Sequence, residues 1–121
     1  MAVTEDRTGY LNKITWTLTS AADGSATSAT TYRYNGIVHR AIFKPDSGGT
    51  QPTDAWDITI TDGDTVDVLT GLGANLTNAS TVQKANIDGL GDVKSSLLTA
   101  NLTNAGDSKG VTVILYILDA E

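Results

Sequence analysis

Apolar and polar residues alternate with a period of two along most of this chain, the spacing of half-buried β-strands. Ile14, Trp16 and Leu18 alternate with Lys13, Thr15, Thr17 and Thr19. Trp56, Ile58 and Ile60 alternate with Asp57, Thr59 and Thr61, and Leu98, Ala100 and Leu102 repeat the pattern. Weaker signals predict a short return strand through Val66 and Val68 and a brief strand in "TVQKANI". The last segment, "VTVILYILD", is different: Val111, Val113, Leu115 and Ile117 occupy one face, and Ile114, Tyr116 and Leu118 the other. A strand apolar on both faces should be covered on both, whereas a two-sheet sandwich covers only one. Of the loop, arm or subunit that would supply the second cover, a subunit or host surface is favoured. Ile114, Tyr116 and Leu118 are therefore the candidate interface.

Turn chemistry divides these runs. Asn35-Gly36 lies between two β-prone stretches and predicts a type I′ hairpin, which needs positive φ at both central residues. That register sets Tyr34 opposite Ile37, Tyr32 opposite His39 and Thr30 opposite Ala41, on a core face shared with Phe43. Arg33, Val38, Arg40 and Ile42 would then form a mixed, partly exposed face. Small and polar residues make loops of "AADGSATS", "SGGTQPTD", "GLGANLTNAS" and "NAGDSKG". Helical spacing comes closest over residues 82–98, but Gly89 and Gly91 interrupt it. Residues 1–9 are polar and patternless and are expected to form a flexible arm, with residues 10–121 a single β domain. The predicted fold is all-β, an antiparallel β-sandwich or jelly-roll-like barrel of about seven to eight strands.

Composition narrows the function. A chain of 121 residues is one domain, able to bury roughly two-thirds of its unfolded surface. The absence of cysteine excludes a disulfide frame, a thiolate metal site and a Cys nucleophile. Small proteins lacking such staples usually rely on oligomerisation or a docked neighbour. A net charge of −6, with eight basic residues scattered singly, argues against nucleic acid as a partner. "MAVTEDRTGY" has no apolar stretch that could serve as a signal peptide, so none is expected, and the longest apolar run, "VILYIL", is too short to span a bilayer. The expectation is a soluble protein made in a cytoplasm, with no membrane partner.

Candidate chemistry is sparse. Asp62, Asp64 and Asp67 have oxygen-ligand spacing, but the calcium-loop pattern lacks its glycine at the sixth position and has Gly73 at the twelfth. They are read as solvated carboxylates of an Asp-Gly turn. His39, the single histidine, would face inward across from Tyr32 as a packed residue, not a base. Trp16 and Trp56 are read as core anchors; only an exposed pair would stack on a sugar. "ANLTNA" occurs at residues 74–79 and 100–105, but the flanking residues differ, so the repeat reflects strand-to-turn composition. Asn75, Asn78 and Asn101 match the glycan acceptor pattern, and without a secretion signal no glycan is expected there. No catalytic, cofactor or metal site is expected, and the chain is not read as an enzyme.

Three stretches carry a resemblance: "YNGIVHRAIFKPD", "PTDAWDITITDGDTVDVLTGLGAN" and "LLTANLTNAGDSKGVTVILYIL". Together, over roughly residues 34–118, they resemble small head and capsid-decoration structural proteins of tailed bacteriophages. Gly63, which comes early in the acidic turn, and Leu76, where a basic residue is expected, depart from that pattern. The resemblance implies a virion protein on the capsid surface that decorates or cements the shell by bridging capsomers. Its implied partner is the major capsid protein, and it implies a homo-oligomer, a trimer favoured. The arm and the outward face of residues 111–118 would supply the contacts, and many weak contacts would sum to a strong clamp. Rival readings are a tail or neck component of the same kind of virion and a carbohydrate-binding module using Trp16 or Trp56.

Overall fold

A computed structural model describes residues 2–119; Met1, Ala120 and Glu121, at the ends of the expected arm and domain, lie outside the described residues. Nine strands form: β1 (Ala2–Asp6), β2 (Leu11–Thr19), β3 (Ala26–Ala29), β4 (Tyr34–Pro45), β5 (Asp57–Thr61), β6 (Val82–Ala85), β7 (Asp92–Ser96), β8 (Thr99–Thr103) and β9 (Gly110–Asp119). They build two antiparallel sheets. The larger has the order β1-β2-β9-β4-β6, with β7 also paired to β4, and the smaller has the order β3-β8-β5. From β2 to β5 the chain alternates between sheets; it then returns through β6 and β7 to the larger, crosses to β8, and closes with β9. This is an all-β sandwich with jelly-roll wiring.

The alternation of each strand turns one row of side chains into the core. β9 lies between β2 and β4, so that Trp16, Val113 and Phe43 form one inward row and Ile14, Leu115 and Ala41 the next. Opposite them, Ile58 and Ile60 of β5 and Ala100 and Leu102 of β8 close the core. Each large apolar side chain buried there contributes about 1.5–3 kcal/mol. Both tryptophans are fully buried. The Trp16 indole N–H donates to the Ser28 carbonyl at 3.1 Å, linking β2 to β3 across the sandwich. The Trp56 indole N–H donates to the Thr77 carbonyl, also at 3.1 Å.

Four local expectations change. Asn35-Gly36 makes no hairpin: both residues lie inside β4, which pairs with β9 along one edge and with β7 and β6 along the other. A twelve-residue strand satisfied on both edges outweighs a two-residue turn preference. Gly36, with φ 147°, faces Asp119 on β9 and Val93 on β7. The β7 edge accommodates this join through an irregularity at Ser95, which has φ 49°.

His39 is exposed, not packed inward. Val38 and Arg40 face the consecutive residues Ile117 and Tyr116, so His39 is the extra residue of a β-bulge. The bulge resets the alternation, and this allows Val38, Ala41 and Phe43 all to face the core although their spacing breaks the period of two. The expected arm is, over Ala2–Asp6, an edge strand on β2, with Val3 packed against the core. Finally, Val66 and Val68 form no strand; the segment curls through turns, touching β5 by a single bridge between Thr61 and Asp67.

Candidate functional site

The outward face of the larger sheet is the most distinctive surface of the molecule. Register places Leu11 of β2, Leu118 of β9 and Ile37 of β4 side by side in one row. These three are 38%, 42% and 47% exposed, so the sandwich leaves an apolar strip three strands wide in solvent. The second row is Lys13, Tyr116 and Arg40. Tyr116 is half-buried between two cations, with Lys13 Nζ 6.0 Å and Arg40 Cζ 5.7 Å from its ring centroid. Arg40 is held in place by Gln83 of β6, whose Oε1 accepts from Arg40 Nε and Nη2 at 3.0 and 2.6 Å. Thr15, Ile114 and Ile42 form the third row, and Thr17, Thr112 and Lys44 the fourth.

The candidate interface residues therefore lie on one continuous face: Ile114 and Tyr116 half-buried among neighbours, Leu118 exposed. Leu11 and Ile37 join this face through strand register. Leu11 shares strand parity with Lys13 and Thr15, a usable signal; the hairpin register expected from Asn35-Gly36 turns Ile37 inward, whereas pairing with β9 turns it outward. Beside Ile37 the face opens into a shallow groove of about 330 Å³ lined by Asn35, Gly36, Ile37, Asp92, Val93 and Lys94.

The smaller sheet presents the opposite chemistry. Its outward positions are Thr27, Asn101 and Thr59 in one row and Ala29, Thr99 and Thr61 in the next. The Asn101 amide donates to Thr59 Oγ1, Thr61 Oγ1 and the Thr99 carbonyl.

The acidic turn after β5 is organised by its own backbone. Asp62 Oδ1 accepts from the amides of Asp64 and Val66 at 2.9 and 3.1 Å. Asp67 Oδ1 accepts from Ile60 and Leu69, both at 3.0 Å, and its Oδ2 accepts from Gly71 at 3.0 Å. Asp62 and Asp67 are thus loop braces. The two copies of the repeated hexapeptide sit in different structures: Leu76 makes an isolated bridge with Trp56, and Leu102 lies inside β8. Burial of both Trp16 and Trp56 removes them as a sugar-stacking platform.

At one end of the sandwich Glu5 of β1 ties down the segment before β4. Its carboxylate accepts from the amides of Thr31 and Tyr32 at 3.0 and 3.1 Å and from the Tyr34 hydroxyl at 2.9 Å. Burial, and then the bond to Glu5, push the Tyr34 hydroxyl far above the usual tyrosine range. The Arg7 guanidinium lies 4.3 Å from the Tyr32 ring centroid and 5.8 Å from that of Tyr34.

No family model matches the chain, and neither does any curated protein. Among solved structures, the chain is similar to one described as "Structure of infectious bursal disease virus Gx strain", at 13% identity and a TM-score of 0.23. The overlap covers 96% of this chain and 38% of that one. A superposition that loose carries no argument about fold or role, so the outward face is interpreted from its own geometry.

Proposed function

We propose that this chain is a non-enzymatic structural protein of a virion, which decorates and cements the capsid shell of a tailed bacteriophage by docking through the outward face of its larger sheet. The observation carrying this reading is the solvent-facing strip of Leu11, Leu118 and Ile37, continuous with Tyr116 and Ile114. Monomeric soluble proteins rarely leave contiguous apolar surface uncovered without an interaction to use it. The jelly-roll wiring occurs in viral capsid, lectin and other domains alike and selects none of these roles by itself. The resemblance of residues 34–118 to head-decoration proteins supplies the choice among them. Copies bridging neighbouring capsomers would oppose shell rupture, and a homo-oligomer, a trimer favoured, would multiply each contact.

The test is a heat challenge of shells of the major capsid protein with and without the chain, followed by imaging of particles. Decorated shells should release their contents at a higher temperature, with the β2-β9-β4 face against the shell in the particle map. Density at the neck or tail instead, with no effect on shell stability, replaces the cementing role with the head-completion one.

A further inference from the structure

The charge of this chain is segregated. Its net charge is −6, yet three of its eight basic residues, Lys13, Arg40 and Lys44, stand on the outward face of the larger sheet among the apolar rows. Between residues 45 and 83 there is no Lys or Arg and there are six Asp, including Asp57 on β5 and Asp62, Asp64 and Asp67 in the turn beyond it. The central strands of the apolar face, β2, β9 and β4, thus turn cations and no carboxylate outward in rows 11–17, 112–118 and 37–44, on a molecule whose net charge is negative. Carboxylates stand only toward the edges of that face, Asp6 across from Lys13 on β1 and Asp92 across from Ile37 on β7, and Arg40 also donates to the Gln83 amide oxygen.

From this polarity we infer that the occupant of the face is a protein surface presenting an apolar centre rimmed by carboxylates, and not a second copy of this chain. The inference rests on the docking role proposed above and adds the chemistry of the partner. Two copies meeting face to face about a two-fold axis would set Lys13, Arg40 and Lys44 of one against the same cations of the other, a repulsive pairing. Nucleic acid would repay the cations but would be repelled by the rest of the surface. A carboxylate-rimmed patch satisfies both halves of the face: apolar side chains cover Leu11, Leu118 and Ile37, one of them reaching the groove beside Ile37, while carboxylates meet Lys13 and Arg40.

The experiment measures co-sedimentation of the full chain with empty shells of the major capsid protein, at low and high sodium chloride, together with sedimentation velocity of the chain alone. Variants are K13E/R40E, L118D and, in the turn after β5, D64K. The expected result is binding that weakens with salt, falls at least tenfold in K13E/R40E and in L118D, and is unchanged in D64K. Binding that ignores salt and survives K13E/R40E overturns the inference and leaves the docking role standing; tighter binding by K13E/R40E does the same by showing a cationic partner. A dimer of the free chain that L118D dissolves makes a second copy the occupant and also overturns it. Absence of any binding by the wild type removes both readings. If K13E/R40E loses its circular-dichroism signature, K13Q/R40Q and the wild-type salt dependence decide the same question.

Discussion

Asp57 holds both copies of the repeated hexapeptide at once: its Oδ1 accepts from the Asn75 amide at 2.8 Å and its Oδ2 from the Asn104 side-chain amide at 2.5 Å. A carboxylate with one oxygen on each of two loops ties together the start of β5, the loop through Asn75 and the turn that leaves β8. Replacing it by alanine leaves two donors to find water, at a cost of about 1–3 kcal/mol. Urea denaturation should show that loss for Asp57→Ala and a smaller one for Asp57→Asn, which keeps one acceptor. Tyr34 makes a second prediction. Its hydroxyl is raised above the unfolded tyrosine value near 10, so its contribution is present below about pH 10 and is lost as pH rises beyond it, where the unfolded chain sheds the proton first. Denaturation midpoints between pH 8 and 11 should fall for the wild type above about pH 10 and fall less for Tyr34→Phe.

At the scale of the strand, β1 is held along one edge, by its pairing with β2. It is an edge strand with one core residue, Val3, and one anchor, Glu5. Glu5→Ala removes the acceptor for two backbone amides and the Tyr34 hydroxyl. Hydrogen exchange should then accelerate at least tenfold in residues 2–6, while β2 and β9 keep their protection. If β2 opens equally, β1 is integral to the sheet's cooperative unit and not a latch. β4 shows the reverse case. Its bulge at His39 and its long pairings allow a segment with broken alternation to remain one strand, so a turn-forming dipeptide is carried inside it.

For the whole molecule, the decisive property is that β9 has one face inside and one outside. Leu115 is fully buried and Leu118 is 42% exposed, three residues along the same strand. Leu115→Ala should cost about 2–5 kcal/mol, whereas Leu118→Ser should change folding stability by no more than about 0.5 kcal/mol. Thermal denaturation of the two variants checks this directly. Equal losses would mean that Leu118 is covered in the isolated chain, and the outward face would lose its claim to be a docking surface. The division between a cationic, apolar side and an anionic side is likewise a property of the assembled sandwich. No single stretch of sequence displays it.

Strand positions at Ile14–Leu18, Ile58–Ile60, Leu98–Leu102 and Val111–Ile117, and the inward side of each, were legible from alternation alone, because the pleat makes side-chain direction a local property. So was the double apolar character of the last strand. The fate of Asn35-Gly36, the exposure of His39, the capture of Ala2–Asp6 as a strand and the alignment of Leu11, Leu118 and Ile37 were decided only by tertiary structure. Apart from the pairing of Ala2–Asp6 with the adjacent β2, each depends on which distant strand becomes the neighbour: β9 meets β2 about a hundred residues away in sequence. Local preference sets how a segment is pleated, but the total burial and hydrogen bonding of the two sheets set its register, and register is what gathers separate side chains into one face.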